Sequence, residues 1–208
     1  MPIYRSIKPN EHTAVYVWKI EETLADLLFD TPLKENSKAR MQNMRSQVHQ
    51  MGFLSVRHLL KAAGYSDFDL YYNEHGKPFL QDGKYISITH SHNFSGIIVS
   101  KHEVGIDIEK NRPKIVNIQD KFVNTEVDSL SDEDLVKQLT VVWGAKEAMY
   151  KMYPFGGMSF KQHIAIDPFL FDDKRSKGRV EFGEWKRKFS IFFDFFVEDF
   201  TLVYAMPE

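Results

Sequence analysis

The sequence of 208 residues contains no cysteine. This absence excludes disulfide bonds, thiolate metal ligands and a cysteine nucleophile, and it fits a reducing cytosol. Long apolar runs are absent too: none approaches the roughly 20 residues of a membrane-spanning helix, and the first residues lack the apolar core of a signal peptide. A charge excess is also missing, since the formal net charge is −2. We therefore expect a cytoplasmic protein whose partners are neither nucleic acid nor membrane.

Hydrophobic residues make up 43% of the chain, enough for one generous domain or two small ones. β-Branched and aromatic runs predict strands at 13–20, 85–89, 95–100 and 104–109, and more strands between 164 and 205. Helix formers predict helices at 21–29, 34–63 and 116–122, and from an N-cap at Ser131 to about Met152. The order predicts an α+β fold, mixed α/β with antiparallel strands, in two similar halves, 1–103 and 104–208.

Two carboxylates stand in the predicted strand Val104–Glu109, which reads VGIDIE. Because side chains alternate across a strand, Asp107 and Glu109 lie on one face and repel each other. Mg²⁺ prefers oxygen ligands and leaves positions open for a substrate's phosphates, so it would relieve that repulsion. The alternative is an ordinary strand with a solvated acidic face.

A third carboxylate belongs to the segment Trp143–Lys151, which reads WGAKEAMYK. On a helix, Trp143, Glu147 and Lys151 share one side. A carboxylate beside a buried Trp needs a partner. Glu147 is therefore either a further metal ligand or the partner of Lys151 in an ordinary i,i+4 pair. Lys146 points in a neighbouring direction and either adds positive charge or is structural.

Several polar groups in the first half could bind an anion. Hydroxyls and imidazoles gather around Thr89 and His90 at a predicted strand end. His90 and His92 could instead suggest zinc, but no further His or Cys stands at zinc spacing. Gly76-Lys77-Pro78 is a rigid turn that presents a lysine. The predicted helix 34–63 is basic and offers either anion ligands or a solvated face, with Lys34, Lys38, Arg40, Arg45 and Arg57.

Together and in this order, these motifs resemble those of 4′-phosphopantetheinyl transferases of the surfactin-synthetase-activating type. The hallmarks of that family are (V/I)-G-(V/I)-D-(I/V)-E and W-x-x-K-E-x-x-x-K, which match Val104–Glu109 and Trp143–Lys151. The supporting blocks are the turn Gly76–Pro78, the strand end Thr89-His90-Ser91 and F-x-x-x-E at Phe122–Glu126. The resemblance covers roughly residues 70 to 160.

The resemblance implies a pseudo-dimeric fold of two similar α/β halves with the active site between them. Residues 1–103 would contact the coenzyme A nucleotide, and residues 104–208 would carry the metal-binding and catalytic motifs. The implied reaction transfers 4′-phosphopantetheine from coenzyme A to a serine of an acyl or peptidyl carrier protein, with Mg²⁺ and release of 3′,5′-ADP. One alternative is a non-catalytic module that binds coenzyme A or the carrier. Another, a metal-dependent phosphotransferase or nuclease, is disfavoured because no basic stripe is present.

The resemblance also implies a role for each candidate residue. Asp107, Glu109 and Glu147 would hold Mg²⁺, with Glu147 the candidate base and Lys151 on the pyrophosphate. Coenzyme A would be bound by Thr89, His90, Lys77, Lys38 and Arg40. Where many relatives carry a basic residue before a G-x-x-x-x-R segment, here Gly52–Arg57, this chain has Gln47-Val48-His49. We expect the carrier to dock at 111–125, with Arg112, Lys114, Ile115, Lys121 and Phe122, and the duplicated chain to be a monomer.

Overall fold

The computed structural model describes residues 3–124, 131–196 and 199–208. The chain divides into two compact units, 1–102 and 103–208. Each unit contains an antiparallel sheet together with helices, which confirms the predicted α+β class. No helix within those described ranges is both long and apolar enough to pass through a bilayer.

The first unit is built on a four-stranded antiparallel sheet in the order β1-β2-β6-β5. Its strands are β1 Arg5–Asn10, β2 Thr13–Lys19, β5 Tyr85–Ser91 and β6 Phe94–Ser100. A separate hairpin joins β3 Leu70–Tyr72 to β4 Pro78–Leu80. The helices are α1 Leu24–Phe29, α2 Glu35–Gln42 and α3 Gln47–Ala62. The apolar face of α3 packs on the sheet, so Leu54, Leu59 and Leu60 are fully buried with Ile97.

The single helix predicted over 34–63 is wrong, because the chain forms two helices there. Asn43 ends α2, and Ser46 is extended with φ −101° and ψ 125° before α3 begins. Asn and Ser favour such helix ends because their side chains compete with helical hydrogen bonds. The predicted end of helix near residue 63 is confirmed: α3 ends at Ala62, and Gly64 follows with φ +85°, a conformation that favours glycine.

The second unit is built on a five-stranded antiparallel sheet in the order β7-β11-β10-β9-β8. Its strands are β7 Gly105–Lys110, β8 Ile164–Ile166, β9 Arg175–Phe182, β10 Trp185–Phe196 and β11 Phe200–Pro207. The helices are α4 Asp132–Tyr150 and α5 Phe160–His163. Ser131 caps α4 as predicted, since its side chain accepts a hydrogen bond from the Asp134 N–H. The helix predicted at 116–122 is instead a 3₁₀ segment, Pro113–Lys121.

Phenylalanine fills much of the second core. Phe189 and Phe193 of β10 are buried with Ile191, on the same side of the sheet as Ala145 and Met149 of α4. The period of two along β10 places these side chains on one face. This core fixes α4 across the sheet next to β7, and these two elements carry the two sequence motifs.

Candidate active-site residues

Glycines allow α4 to lie very close to the strand that carries Asp107. A Cβ atom built on Gly105 of β7 would overlap the carbonyl oxygen of Ala148 in α4. A Cβ atom on Gly144 of α4 would lie 2.9 Å from Cγ2 of Val203 and 3.6 Å from Oδ2 of Asp107. Both glycines belong to the motifs, so the motifs bring strand and helix into contact as well as supplying charged groups.

Asp107 is a charged group at this contact between β7 and α4. Its side chain is buried, and Oδ1 accepts a hydrogen bond of 2.8 Å from Nζ of Lys151. The same Nζ donates at 2.8 Å to the carbonyl oxygen of Ile106. Lys151 can reach both acceptors because it is the C-terminal cap residue of α4. The structure thus joins the VGIDIE strand to Lys151, the last residue of the W-x-x-K-E-x-x-x-K motif, through an ion pair.

Glu147 lies one turn before Lys151, and the charge of Asp107 acts on its pKa. Burial raises the pKa of Glu147, the negative charge of Asp107 raises this pKa further, and the positive charge of Lys151 lowers it. Asp107, Glu147 and Lys151 therefore form one electrostatically linked group of two carboxylates and one ammonium. Because its pKa is raised, the carboxylate of Glu147 is a stronger base than that of an exposed glutamate.

Glu109 lies on the same face of β7 as Asp107, as the alternation predicted. It is half-buried and opposite Thr201 of β11, just as Asp107 is opposite Val203. Across the part of the chain that the structure describes, no three His, Cys, Asp or Glu side chains are gathered closely enough to hold a metal. The site of three carboxylates stays a prediction. The donor chemistry fits Mg²⁺, because a divalent cation would offset the repulsion between Asp107 and Glu147.

Lys146 is buried and bonded to backbone carbonyls, whereas Lys151 also contacts the carboxylate of Asp107. Its side chain is fully buried, and Nζ donates to the carbonyl oxygens of Phe160 at 2.8 Å and Ile164 at 2.5 Å. Burial lowers the pKa of Lys146 to about 8. The ammonium ties α4 to α5 and the start of β8, and its carbonyl partners account for its position. Of the two roles left open by the sequence, the structure supports the structural one.

In the first unit, the end of β5 lies against α3. Thr89 is buried and His90 is exposed. A Cβ atom on Gly52 would lie 3.6 Å from Cγ of His90. The ring centroids of His49 and His90 are 6.2 Å apart, although 40 residues separate the two in the chain. The sequence showed His49 only as a departure from a family pattern, and it gave no sign of this neighbour.

The basic residues of α2 and α3 have different surroundings. The guanidinium of Arg40 lies 4.8 Å from the ring centroid of Tyr72, and Nζ of Lys38 is 2.7 Å from a carboxylate oxygen of Glu35. Both basic side chains are exposed. Arg57 is buried, with Nε 2.9 Å from Oδ1 of Asp67. Arg57 therefore fits neither alternative that the sequence left open, anion ligand or solvated face, because it is buried and a buried carboxylate neutralises its charge.

Lys77 stands in the predicted turn between β3 and β4. Gly76 adopts φ +78°, and the side-chain oxygen of Asn73 accepts a hydrogen bond from the Lys77 N–H. This pattern fixes the backbone of the turn through the asparagine side chain. The lysine side chain is half-buried.

The predicted docking segment is only partly accessible. Arg112, Lys114 and Lys121 are exposed and Ile115 is half-buried. Phe122 is fully buried, with its ring centroid 5.2 Å from that of Trp143. The prediction that Phe122 contacts the carrier is therefore wrong, because its buried ring packs edge-to-face against the motif tryptophan instead. Thr125 and Glu126, the end of the F-x-x-x-E block, lie outside the described residues.

Two comparisons with known proteins cover the part of the chain that holds these motifs. The model of the 4′-phosphopantetheinyl transferase superfamily matches residues 103–205, the unit that holds both motifs. This match assigns residues 103–205 to the superfamily. It is 28% identical over 109 residues to the 4′-phosphopantetheinyl transferase gsp of Aneurinibacillus migulanus, which supports the surfactin-synthetase-activating type. That match covers 50% of this chain and 44% of the relative, so it spans less than half of the relative's length.

Proposed function

We propose that the protein transfers the 4′-phosphopantetheine group of coenzyme A to a serine of an acyl or peptidyl carrier protein, with Mg²⁺ and release of 3′,5′-ADP. The observation that carries the proposal is the ion pair of 2.8 Å between Lys151 and Asp107, beside a Glu147 whose pKa is raised. The pair unites the two motifs of the family in one group. The name of the relative gsp supports the same reaction.

Asp107, Glu109 and Glu147 are the proposed ligands of Mg²⁺. The bound ion would supply positive charge that orients the pyrophosphate and offsets its developing negative charge. Asp107 and Glu147 qualify because their negative charges act on each other. Glu109 qualifies because it shares the face of β7 with Asp107.

The transfer breaks one phosphorus–oxygen bond and forms another. The serine oxygen attacks the β-phosphorus, the bond from that phosphorus to the bridging oxygen breaks, and the electron pair leaves with 3′,5′-ADP. The serine proton passes to Glu147, the candidate base. Lys151 adds a positive charge that offsets the charge on the pyrophosphate.

The coenzyme A ligands proposed in the first unit lie in three places. Lys38 and Arg40 are exposed cations on α2, suited to a phosphate monoester. Thr89 and His90 offer a hydroxyl and an imidazole at the end of β5, and Lys77 offers an ammonium in a backbone-fixed turn.

Lys114 and Lys121 of the 3₁₀ segment are the proposed contacts for an acidic carrier. Reversal of both charges to Glu should raise the KM for the carrier and leave kcat at saturating carrier unchanged, because rim charges act mainly on association. The matched control reverses Lys186 and Lys188, two exposed lysines of β10. An unchanged KM in the first variant would show that this segment does not contribute to docking.

We expect the enzyme to act as a monomer in the cytoplasm.

Release of 3′,5′-ADP distinguishes the proposal from its alternatives. Chromatography should detect this nucleotide only when coenzyme A, Mg²⁺ and an apo carrier are all present. Bound coenzyme A without release, on both an acyl and a peptidyl carrier, would favour a non-catalytic binding module. Cleavage of nucleic acid in place of release would favour the nuclease alternative.

A further inference from the structure

The guanidinium of Arg40 on α2 lies against aromatic rings. It is 4.8 Å from the ring centroid of Tyr72 and 5.9 Å from that of Phe53. The guanidinium of Arg57, in contrast, forms an ion pair with the carboxylate of Asp67. An aromatic ring attracts a cation but carries no net charge that would cancel it. The contact with Tyr72 therefore holds Arg40 and leaves its positive charge available to an anion.

The hairpin of β3 and β4 fixes the position of the Tyr72 ring. Tyr72 is opposite Pro78 and Leu70 is opposite Leu80 in this hairpin. Both leucines are buried, and Tyr72 packs against the core of the first unit. Because side chains alternate along a strand, Tyr72 shares a face with Leu70. The ring under Arg40 is thus anchored by the core.

Such a support changes how an arginine binds an anion. Arg40 is exposed, and a long exposed side chain loses rotamer freedom when a ligand fixes it. A guanidinium that is already held on a ring loses less of that freedom on binding. Its N–H groups lie in its own plane, where they can still donate to phosphate oxygens.

We propose that Tyr72 is a positioning residue that holds Arg40 for the 3′-phosphate of coenzyme A. The sequence motifs do not include Tyr72. The inference rests on the proposed function, which makes coenzyme A the substrate and Arg40 one of its ligands. The 3′-phosphate is the phosphate monoester of coenzyme A, and its oxygens match the paired N–H groups of a guanidinium.

Calorimetric titration with coenzyme A and with 3′-dephospho-coenzyme A tests the inference. Tyr72→Leu removes the ring and should weaken coenzyme A binding roughly fivefold, the effect of losing one cation–π contact. The affinity for 3′-dephospho-coenzyme A should not change. Tyr72→Phe keeps a ring under Arg40 and should bind both ligands like the wild type. Tyr72→Met is a second variant without a ring, and its flexible side chain fills part of the space.

Tyr71→Leu is the matched control. Tyr71 precedes Tyr72 on the same strand, but its ring is stacked on Phe79, with the centroids 5.5 Å apart. This variant should bind both ligands like the wild type, because its ring faces away from Arg40. Thermal unfolding of each variant shows that the hairpin is still folded.

A double-mutant cycle separates positioning from a general effect on the structure. Arg40→Ala should weaken coenzyme A binding roughly tenfold, the effect of losing hydrogen bonds from a charged group. Addition of Tyr72→Leu to Arg40→Ala should cause no further loss, because Tyr72 acts through Arg40.

Three results would overturn this inference alone. They are unchanged coenzyme A affinity in both ringless variants, an equal loss for the two ligands, and a further fivefold loss in the double variant. A wild-type protein that does not bind coenzyme A would overturn the proposed function and this inference together.

Discussion

At the scale of single residues, Lys146 and Lys151 show how one motif holds two different kinds of lysine. They lie five positions apart near the end of α4. Lys146 is fully buried on two backbone carbonyls, whereas Lys151 is half-buried on the carboxylate of Asp107. The first donates hydrogen bonds to backbone carbonyls of α5 and β8, and the second lies beside the ionisable groups Asp107 and Glu147. The sequence alone does not separate these roles.

Replacing each lysine by methionine should separate stability from activity. Lys146→Met leaves two carbonyls without their donor, so we expect a loss of about 2 kcal/mol in the free energy of unfolding. Its activity at low temperature should stay near that of the wild type. Lys151→Met should lower kcat/KM roughly 10²-fold or more, because it removes positive charge beside the reacting phosphate. Thermal unfolding and steady-state kinetics measure both effects, and a catalytic loss in Lys146→Met alone would contradict the assignment.

Glu147 should lower the free energy of unfolding at neutral pH, because its buried carboxylate is charged there. Its folded pKa is raised above the ordinary value of 4.5 by burial and by Asp107. A raised carboxyl pKa favours folding below the unfolded pKa, and this contribution is lost as pH rises through the folded pKa. Glu147→Gln should therefore be more stable than the wild type at neutral pH in EDTA, by about 1 kcal/mol, and inactive. Urea unfolding between pH 4 and 8 would contradict this if the variant were less stable at pH 7.

At the scale of elements, Asp67 holds the start of α2 in place. Its carboxylate accepts hydrogen bonds from the Lys34 N–H at 3.0 Å, from Oγ of Ser37 at 2.9 Å and from Nε of Arg57 at 2.9 Å. The guanidinium of Arg57 also lies 3.4 Å from the ring centroid of Phe53. A buried ion pair therefore fixes α2, the helix that carries Lys38 and Arg40, two of the proposed ligands of coenzyme A.

Breaking this ion pair should be costly. Arg57→Ala leaves Asp67 as a buried charge without its cation, so we expect a loss of about 3–5 kcal/mol in the free energy of unfolding. Ser37→Ala removes only one hydrogen bond and should cost about 1–2 kcal/mol. Urea denaturation measures both. A loss below about 1 kcal/mol in Arg57→Ala would contradict the structural role given to the pair.

The contact between α4 and β7 should not tolerate a methyl group at Gly105. The added Cβ would overlap the backbone carbonyl of Ala148, which cannot rotate away as a side chain would. We expect Gly105→Ala to separate helix and strand, with a loss of several kcal/mol and of activity. The control is Gly156→Ala, where the Cβ meets nothing within 4 Å. Wild-type melting behaviour and activity in Gly105→Ala would show that α4 does not lie on β7 in this way.

At the scale of the whole molecule, periodicity predicted most strands and the long helix α4, because each repeats its pattern over several residues. It missed β1 Arg5–Asn10, where charged residues and Pro9 alternate on a half-exposed strand, and the short β4 Pro78–Leu80. These elements are stabilised by their partners in the sheet more than by their own sequence. The same limit applies to the candidate site.

Motifs located Asp107, Glu147 and Lys151 because each lies at a fixed spacing within one element. The ion pair of Lys151 with Asp107 crosses 44 positions, and the neighbour of His90 lies on another helix. Such contacts depend on how α3 and α4 pack on their sheets. A local pattern does not contain that information, so the pairing of the residues had to come from the structure.

The most direct test of the account is the intact mass of an apo carrier protein after incubation with this protein, coenzyme A and Mg²⁺. The account predicts a gain of roughly 340 Da, one phosphopantetheine group, on the carrier serine. The gain should disappear with Asp107→Ala, with EDTA and with a carrier whose serine is alanine. No gain on either an acyl or a peptidyl carrier, or a gain that Asp107→Ala retains in full, would contradict the account.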